Sequence, residues 1–275
     1  MEGPLYFKKD RNGFEYKSVP TSDPILQILS SDQNDPSGSS PAVFWSPENQ
    51  DKKVAIYVLE RAFDSRCFKG HDGAKVESID TKRLRAEDLV ERSAVYDAER
   101  PDGPDKHGVA VLNRIGSAQY GSCRGKWCRC FVVRVRRAQD WDTLYDVNQW
   151  GDAMGVIGEH FRKLREQHPA YEFAVHRGRT MELVRNPISY SVDYWVRGQK
   201  VEYHEAKPKN LVENGTSHAC PIAVGVIASM LSAGHITSTK PQDVRAYLDQ
   251  CAVAGIRIQG HPTKHLRNHP GFAKK

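Results

Sequence analysis

Apolar residues follow two patterns along the chain, short continuous runs and helical repeats. The runs at 54–59 (Val-Ala-Ile-Tyr-Val-Leu) and 131–135 (Phe-Val-Val-Arg-Val) are typical of buried strands in a parallel sheet. Between 144 and 164, apolar residues recur at helical spacing, which predicts a helix that ends before His168-Pro169. Strands that alternate with helices predict an α/β fold, with a mostly parallel central sheet flanked by helices.

Other segments complete this outline. A short amphipathic piece is predicted at 25–29. A helix is predicted to begin after Thr239, with a capping box between Thr239 and Gln242, and to end at Gly255. Turn-forming residues are frequent in the first fifty positions, and basic residues gather near the end of the chain. We therefore expect an N-terminal extension or strap at 1–50, a catalytic domain at 51–255 and a solvated basic tail at 256–275.

Residues 215–225 read Gly-Thr-Ser-His-Ala-Cys-Pro-Ile-Ala-Val-Gly and place a serine at a tight turn before an apolar helix. Gly215 supplies freedom for the turn, Pro221 is interpreted as a first-turn proline, and Gly234 is the predicted C-cap. Gly225 is expected to admit a neighbouring strand. A serine at the start of a buried helix suits acyl transfer, because the positive end of the helix dipole stabilises an oxyanion. Ser217 is therefore the candidate nucleophile.

This segment resembles the nucleophile motif Gly-Thr-Ser-x-Ala-x-Pro of the subtilisin-like serine proteases. In that family the triad follows the order Asp, His, Ser, so the resemblance implies a histidine and an acid upstream. The run at 105–117, Asp-Lys-His-Gly-Val-Ala-Val-Leu-Asn-Arg-Ile-Gly-Ser, resembles the family's histidine helix and implies that His107 is the catalytic base. The resemblance covers residues 50 to 255 and implies a compact form of the family's three-layer fold.

The implied acid falls at the end of the first buried strand, where the family carries a pattern close to Asp-Thr-Gly-Ile-Asp. This chain reads Glu-Arg-Ala-Phe-Asp at 60–64, so Glu60 takes the catalytic position and Asp64 is the fallback acid. Glutamate can still orient a histidine and stabilise its imidazolium form. The run Phe-Ala-Val-His-Arg-Gly at 173–178 falls where the family has its oxyanion-hole turn. This implies His176 as an oxyanion donor beside the Ser217 backbone N–H.

Two other functions stay open. Because Glu60 and His176 depart from the family pattern, the chain could be an impaired relative that keeps the scaffold to bind a protein partner. Alternatively, Asp193 with Glu205 and Lys207 resembles the acid…Glu-x-Lys hairpin of restriction-type nucleases, whose carboxylates hold Mg²⁺. A charged hairpin produces that pattern easily, and no strong basic stripe accompanies it. A peptidase is therefore the favoured function, with a protein or peptide as substrate.

Composition adds limits to these functions. The 275-residue chain is 39% hydrophobic with a net charge of +6, and no apolar run reaches the length of a membrane span. We expect no membrane or nucleic-acid partner, and a cytoplasmic location because no signal core is visible, with secretion only if a leader has been removed. The Cys-x4-Cys-x-Cys run at 123–130 lacks zinc-site spacing. We therefore expect no metal and no cofactor, while the oligomeric state stays open.

Overall fold

A computed structural model of the protein describes residues 5–31, 42–60, 76–79, 106–124, 128–134, 147–177, 194, 196, 201–204, 210–213, 215–258 and 261–272. Asp64, Asp193, Glu205 and Lys207 lie outside these residues. In chain order, the elements are β1 (Phe7–Lys9), β2 (Glu15–Pro20), α1 (Pro24–Leu29), β3 (Val43–Pro47), β4 (Lys53–Glu60), β5 (Val76–Ile79), α2 (Lys106–Gly116), β6 (Cys128–Arg134), α3 (Val147–Gln167), β7 (Tyr171–Arg177), β8 (Val201–His204), β9 (Asn210–Glu213), α4 (Thr216–Ser232), α5 (Pro241–Cys251), β10 (Val253–Ile258) and β11 (His261–His265).

A parallel sheet forms the centre of the molecule, with the strand order β5-β6-β4-β7. β4 pairs with both β6 and β7, and β5 pairs with β6 at the edge. Both apolar runs that predicted buried strands lie in this sheet. The predicted α/β class with a mostly parallel sheet is therefore confirmed.

The two faces of β4 pack against different helices. Val54, Ile56 and Val58 belong to a core cluster shared with residues of α2 and α4. Ala55, Tyr57 and Leu59 point to the other face and pack with residues of α3. Because side chains alternate along a strand, one apolar run supplies both cores. The result is a helix–sheet–helix sandwich in three layers.

Three local expectations are corrected by the helices. α4 begins at Thr216, so Pro221 is its sixth residue and lies inside the helix rather than in the first turn. α5 begins at Pro241 with Lys240 as N-cap and no side-chain cap, so the predicted capping box does not form. The same helix ends at Cys251, because Val253 already begins β10, which extends through Gly255. The Gly234 terminator is confirmed by its φ of 74° just beyond α4.

The two ends of the chain pack against each other. Asn268 donates its backbone N–H to the Leu29 carbonyl and its side-chain amide to the Trp45 carbonyl. The Phe272 ring lies 5.1 Å from the Trp45 ring, and Leu266 and His269 are fully buried. The sequence predicts a solvated terminus here, and for this segment that prediction is wrong, since its apolar and amide groups pack against α1 and β3.

Across the described segments, no helix combines the length and apolar character needed to cross a lipid bilayer.

Candidate functional site

The direction of α4 places its first turn at the carboxyl edge of the parallel sheet. At its end, the Ser232 hydroxyl donates a 2.8 Å hydrogen bond to the Lys52 carbonyl, just before β4 begins. The fifteen residues back to Ser217 span about 22 Å of helix, and β4 spans a similar ~23 Å between its ends. Ser217 and Glu60 therefore lie at the same edge of the sheet.

The helix α2 brings His107 to that edge as well. α2 lies in the chain between the parallel strands β5 and β6, and a helix in such a crossover is antiparallel to its strands. It contacts α4 where the Ile115 carbonyl oxygen lies 3.0 Å from the point at which a Cβ on Gly225 would stand. His107 is eight residues before Ile115 on α2, and Ser217 is eight residues before Gly225 on α4. Because the two helices are parallel, each residue lies about 12 Å from the contact in the same direction. Their backbones are therefore level with each other.

A hairpin links α2 to the start of α4. β8 contacts α2, and it pairs with β9 from Val201↔Glu213 to His204↔Asn210. β9 ends at Glu213, two residues before Gly215, where the chain enters α4. The hairpin therefore holds the start of α4 against α2, independently of the Gly225 contact.

The register of β4 decides which face of the sheet Glu60 occupies. Glu60 lies two residues after Val58, and positions two apart on a strand share a face. Val58 packs into the core cluster of α2 and α4. Glu60 therefore belongs to the face of the sheet on which α2 and α4 pack.

His176 has a different position. It pairs with Tyr57 inside the β4–β7 ladder, so it lies within a strand and not in a turn. Its register position belongs to the face of Tyr57, which packs with α3. That face is opposite to α4. The structure thus places the backbone positions of Glu60, His107 and Ser217 on one side of the sheet and that of His176 on the other.

The first turn of α4 is enclosed on one side. Ser217 is half-buried, while the next side chain, His218, is only 2% exposed. The His218 N–H donates a 3.1 Å bond to the Gly215 carbonyl and closes the turn. Pro221 has no N–H to donate to the Ser217 carbonyl four residues earlier. The serine turn is therefore joined to the rest of the helix by one backbone bond fewer.

Sequence reasoning overlooked two arginines at this edge. β6 ends at Arg134, which pairs directly with Glu60, and β7 ends at Arg177, which pairs with Val58. Arg134 directly follows an apolar run and Arg177 follows one after His176, so the signal in the sequence was the charged residue at the point where each strand ends.

The three cysteines that follow α2, one before β6 and two within it, are buried and lie away from the serine turn. Cys123, Cys128 and Cys130 are not in disulfides, and Cys128 Sγ lies 3.8 Å from the Ala228 carbonyl, eleven residues after Ser217. A hydrogen bond with Cys123 and burial raise the pKa of Cys128, and burial raises that of Cys130. Among the side chains that the structure describes, no group of three potential ligands is arranged for a metal ion. These thiols are therefore core residues.

Comparison with known proteins identifies the fold. No family model matches the sequence, and neither does any curated protein. Among solved structures, a cold-adapted subtilisin-like serine proteinase matches with a TM-score of 0.53 and 15% identity, over 88% of this chain and 97% of that one. The prenylagaramide maturation protease PagA (TM-score 0.43, 14% identity, 76% of this chain and 86% of that one) and the PatG macrocyclase domain (0.40, 15%, 74% and 85%) also match. The first match shows that this chain shares the fold of a subtilisin-like proteinase.

Proposed function

We propose that the protein is a serine hydrolase that cleaves peptide bonds with Ser217, His107 and Glu60. The observation that carries the proposal is the contact between α2 and α4 on the face of β4 to which Glu60 belongs, with His107 and Ser217 equally far along the chain from that contact. Their types and order are those of an acid–base–nucleophile triad. The shared fold of a subtilisin-like serine proteinase supports the same chemistry.

In the proposed reaction the Ser217 hydroxyl oxygen attacks the carbonyl carbon of the scissile bond, and His107 accepts the hydroxyl proton. Glu60 holds the imidazole in the required tautomer and stabilises it while it is charged. The oxyanion forms near the first turn of α4, where the positive end of the helix dipole favours it. His107 then gives its proton to the leaving amine. Water next attacks the acyl-enzyme while His107 accepts a proton from it, and His107 returns that proton to the Ser217 oxygen as the acid product leaves.

His176 has no part in this mechanism. Its register position lies on the α3 face of the sheet, so a hydrogen bond to an oxyanion beside α4 would have to cross the sheet. The helix dipole and the Ser217 backbone N–H are the groups that the proposal assigns to the oxyanion.

An impaired relative that binds a protein partner is the second candidate, because Glu60 stands where the family has aspartate. Glutamate places its carboxylate one methylene further from the backbone, which changes the distance to the histidine. The nuclease alternative depends on Asp193, Glu205 and Lys207, all outside the described residues, and no contact supports it.

Labelling with a fluorophosphonate probe tests the proposal, because the probe reacts only with an activated serine. We expect wild-type protein to be labelled, and Ser217→Ala and His107→Ala to abolish labelling. Ser238→Ala and the exposed His168→Ala are matched controls that should label like wild type. Folded wild-type protein that resists labelling would contradict a working hydrolase and favour the impaired relative.

A further inference from the structure

Three neighbouring strands of the parallel sheet, β6, β4 and β7, end in charged residues. In that spatial order, the last residues are Arg134, Glu60 and Arg177. The position of an acidic residue therefore lies between two arginine positions along the carboxyl edge of the sheet.

All three positions belong to the same face of the sheet. Arg134 pairs directly with Glu60, and Arg177 pairs with Val58, which shares the face of Glu60. Neighbouring strands are about 4.8 Å apart, so both arginine positions are within one strand of Glu60. This is the face on which α2 and α4 pack and to which the triad positions belong.

The described ends of these strands and helices carry more cationic than acidic positions. The strand ends contribute two cationic residues, Arg134 and Arg177, and one acidic residue, Glu60. The helix starts add one residue of each sign, Lys106 at the start of α2 and Glu213 just before α4. Two arginine positions beside one glutamate position favour an acidic ligand over a basic one.

We propose that Arg134 and Arg177 make this site selective for peptides that carry an acidic side chain close to the scissile bond. The inference rests on the proposed function, which places a peptide at this edge. A guanidinium binds a carboxylate through two parallel hydrogen bonds, and this geometry distinguishes Glu from the neutral Gln of equal size. In this assignment Arg134, directly opposite Glu60, holds the triad acid, and Arg177 binds the substrate carboxylate.

Peptide binding to the Ser217→Ala variant tests this inference without any need for catalysis. Fluorescein-labelled peptides of one length, each with Glu, Gln or Lys at a single position, are titrated and followed by anisotropy. A charge-assisted hydrogen bond is worth about tenfold or more in affinity. We expect the Glu peptide to bind at least tenfold more tightly than its Gln counterpart at one or two adjacent positions. The Lys peptide should bind most weakly.

The arginine variants, made in the same Ser217→Ala background, identify the residue responsible. In Arg177→Gln, the ratio of the affinities for the Glu peptide and the Gln peptide should fall towards one, while the affinity for the Gln peptide stays unchanged. Arg177→Lys should keep part of that ratio. Arg162→Gln is the matched control, since Arg162 is exposed on α3 and paired with Glu166. Equal binding of Glu and Gln peptides at every position would overturn the inference, as would a ratio that Arg134→Gln and Arg177→Gln both leave intact.

The two proposals fail in different ways. If the probe labels Ser217 but Glu and Gln peptides bind equally, the hydrolase stands and the acidic specificity is wrong. If acidic peptides bind through Arg177 but no labelling occurs, the specificity stands and the protein binds peptides without cleaving them.

Discussion

At the scale of single residues, Gly215, Ser217 and Gly234 mark where α4 begins and ends. Gly215 is the N-cap, Ser217 is the second residue of the helix, and Gly234 follows the helix with a φ of 74°. These positions agree with the residue types, because a turn, a helix start and a left-handed terminator each favour few residue types. Pro221 was misplaced by about one turn, since a proline alone does not show where a helix begins. His176 was misplaced because a single histidine after an apolar run does not reveal which strand carries it or which face it occupies.

Glu60 is the residue whose replacement is most informative about the triad. Glu60→Gln keeps the side-chain shape but removes the charge that stabilises the imidazolium, so kcat should fall by about three to four orders of magnitude with KM little changed. Glu60→Asp restores the acid of the family pattern and should match or exceed wild type. Peptide hydrolysis kinetics measure both, with Glu172→Gln on the exposed side of β7 as the control. Equal rates for Glu60→Gln and wild type would remove Glu60 from the mechanism.

His235 gives the protein an acid-sensitive contribution to stability. Its ring stacks on Phe14 at 3.8 Å, and its Nδ1 lies 3.3 Å from the Tyr16 hydroxyl and 3.2 Å from the Tyr247 hydroxyl. Burial lowers the pKa of His235 to about 4, below the 6.5 of an unfolded chain. Above pH 6.5 the His235 ring is neutral in both the folded and the unfolded protein. Between pH 6.5 and 4 only the unfolded state takes the proton, so the free energy of unfolding should fall as the pH falls.

Urea unfolding at several pH values measures this effect. His235 alone should account for a loss of about 3 kcal/mol at most between pH 7 and 4. His235→Asn keeps a polar atom near Nδ1 but cannot titrate, so its pH dependence over this range should be shallower. The exposed His168→Asn should keep the wild-type slope. An unchanged slope in His235→Asn would mean that the histidine is not held neutral.

At the scale of elements, the sequence predicted helices and buried strands well, but not which of them would be neighbours. The run at 54–59 shows a strand through its length and apolar character, and the repeat at 144–164 shows a helix through its period. Gly225 illustrates the limit: its small size predicts a close neighbour, yet the neighbour is the end of α2 and its following loop rather than a strand. Contacts between distant segments depend on the whole packing and leave no local signal.

The contact between α2 and α4 should be sensitive to a single methyl group. In Gly225→Ala, the new Cβ would come within 3.0 Å of the Ile115 carbonyl and 3.1 Å of the Cys123 nitrogen, and even closer to the Ser122 hydroxyl. The helices would have to separate, so we expect a loss of about 1–3 kcal/mol in the free energy of unfolding. Because this contact sets the level of Ser217 against His107, labelling should also slow.

Gly158→Ala on α3 is the matched control for that substitution. A Cβ there meets nothing within 4 Å, so the change should stabilise the helix by up to about 1 kcal/mol. Denaturant unfolding of both variants gives the comparison. A Gly225→Ala protein as stable as wild type would show that α2 and α4 are not in such close contact.

At the scale of the whole molecule, the two ends of the chain belong to the packed structure. Asp23 caps α1 and forms a fully buried ion pair with Arg114 of α2, which links the N-terminal segment to the helix that carries His107. Leu266 to Phe272 then cover that segment. The sequence could not predict this, because turn-rich and basic segments are typical of solvated termini, and the two ends that pack together are more than two hundred residues apart.

The Asp23–Arg114 pair should be costly to break from one side. Asp23→Asn leaves the Arg114 charge buried, and a half-broken buried pair typically costs about 3–5 kcal/mol. Replacing both residues together, as Asp23→Leu with Arg114→Met, removes both charges and should destabilise less than the single change. Denaturant unfolding of the three proteins measures this, with the exposed pair Lys264–Asp249 as the control for a surface ion pair. A double variant less stable than Asp23→Asn would contradict the expectation.

The central claim is that Ser217 is an activated nucleophile at the carboxyl edge of the parallel sheet. The most direct measurement is peptide mapping by mass spectrometry after reaction of the whole protein with a fluorophosphonate. We predict one phosphonyl adduct, located on Ser217 and lost in His107→Ala. An unmodified Ser217 in folded wild-type protein, or an adduct only on another residue, would contradict the account.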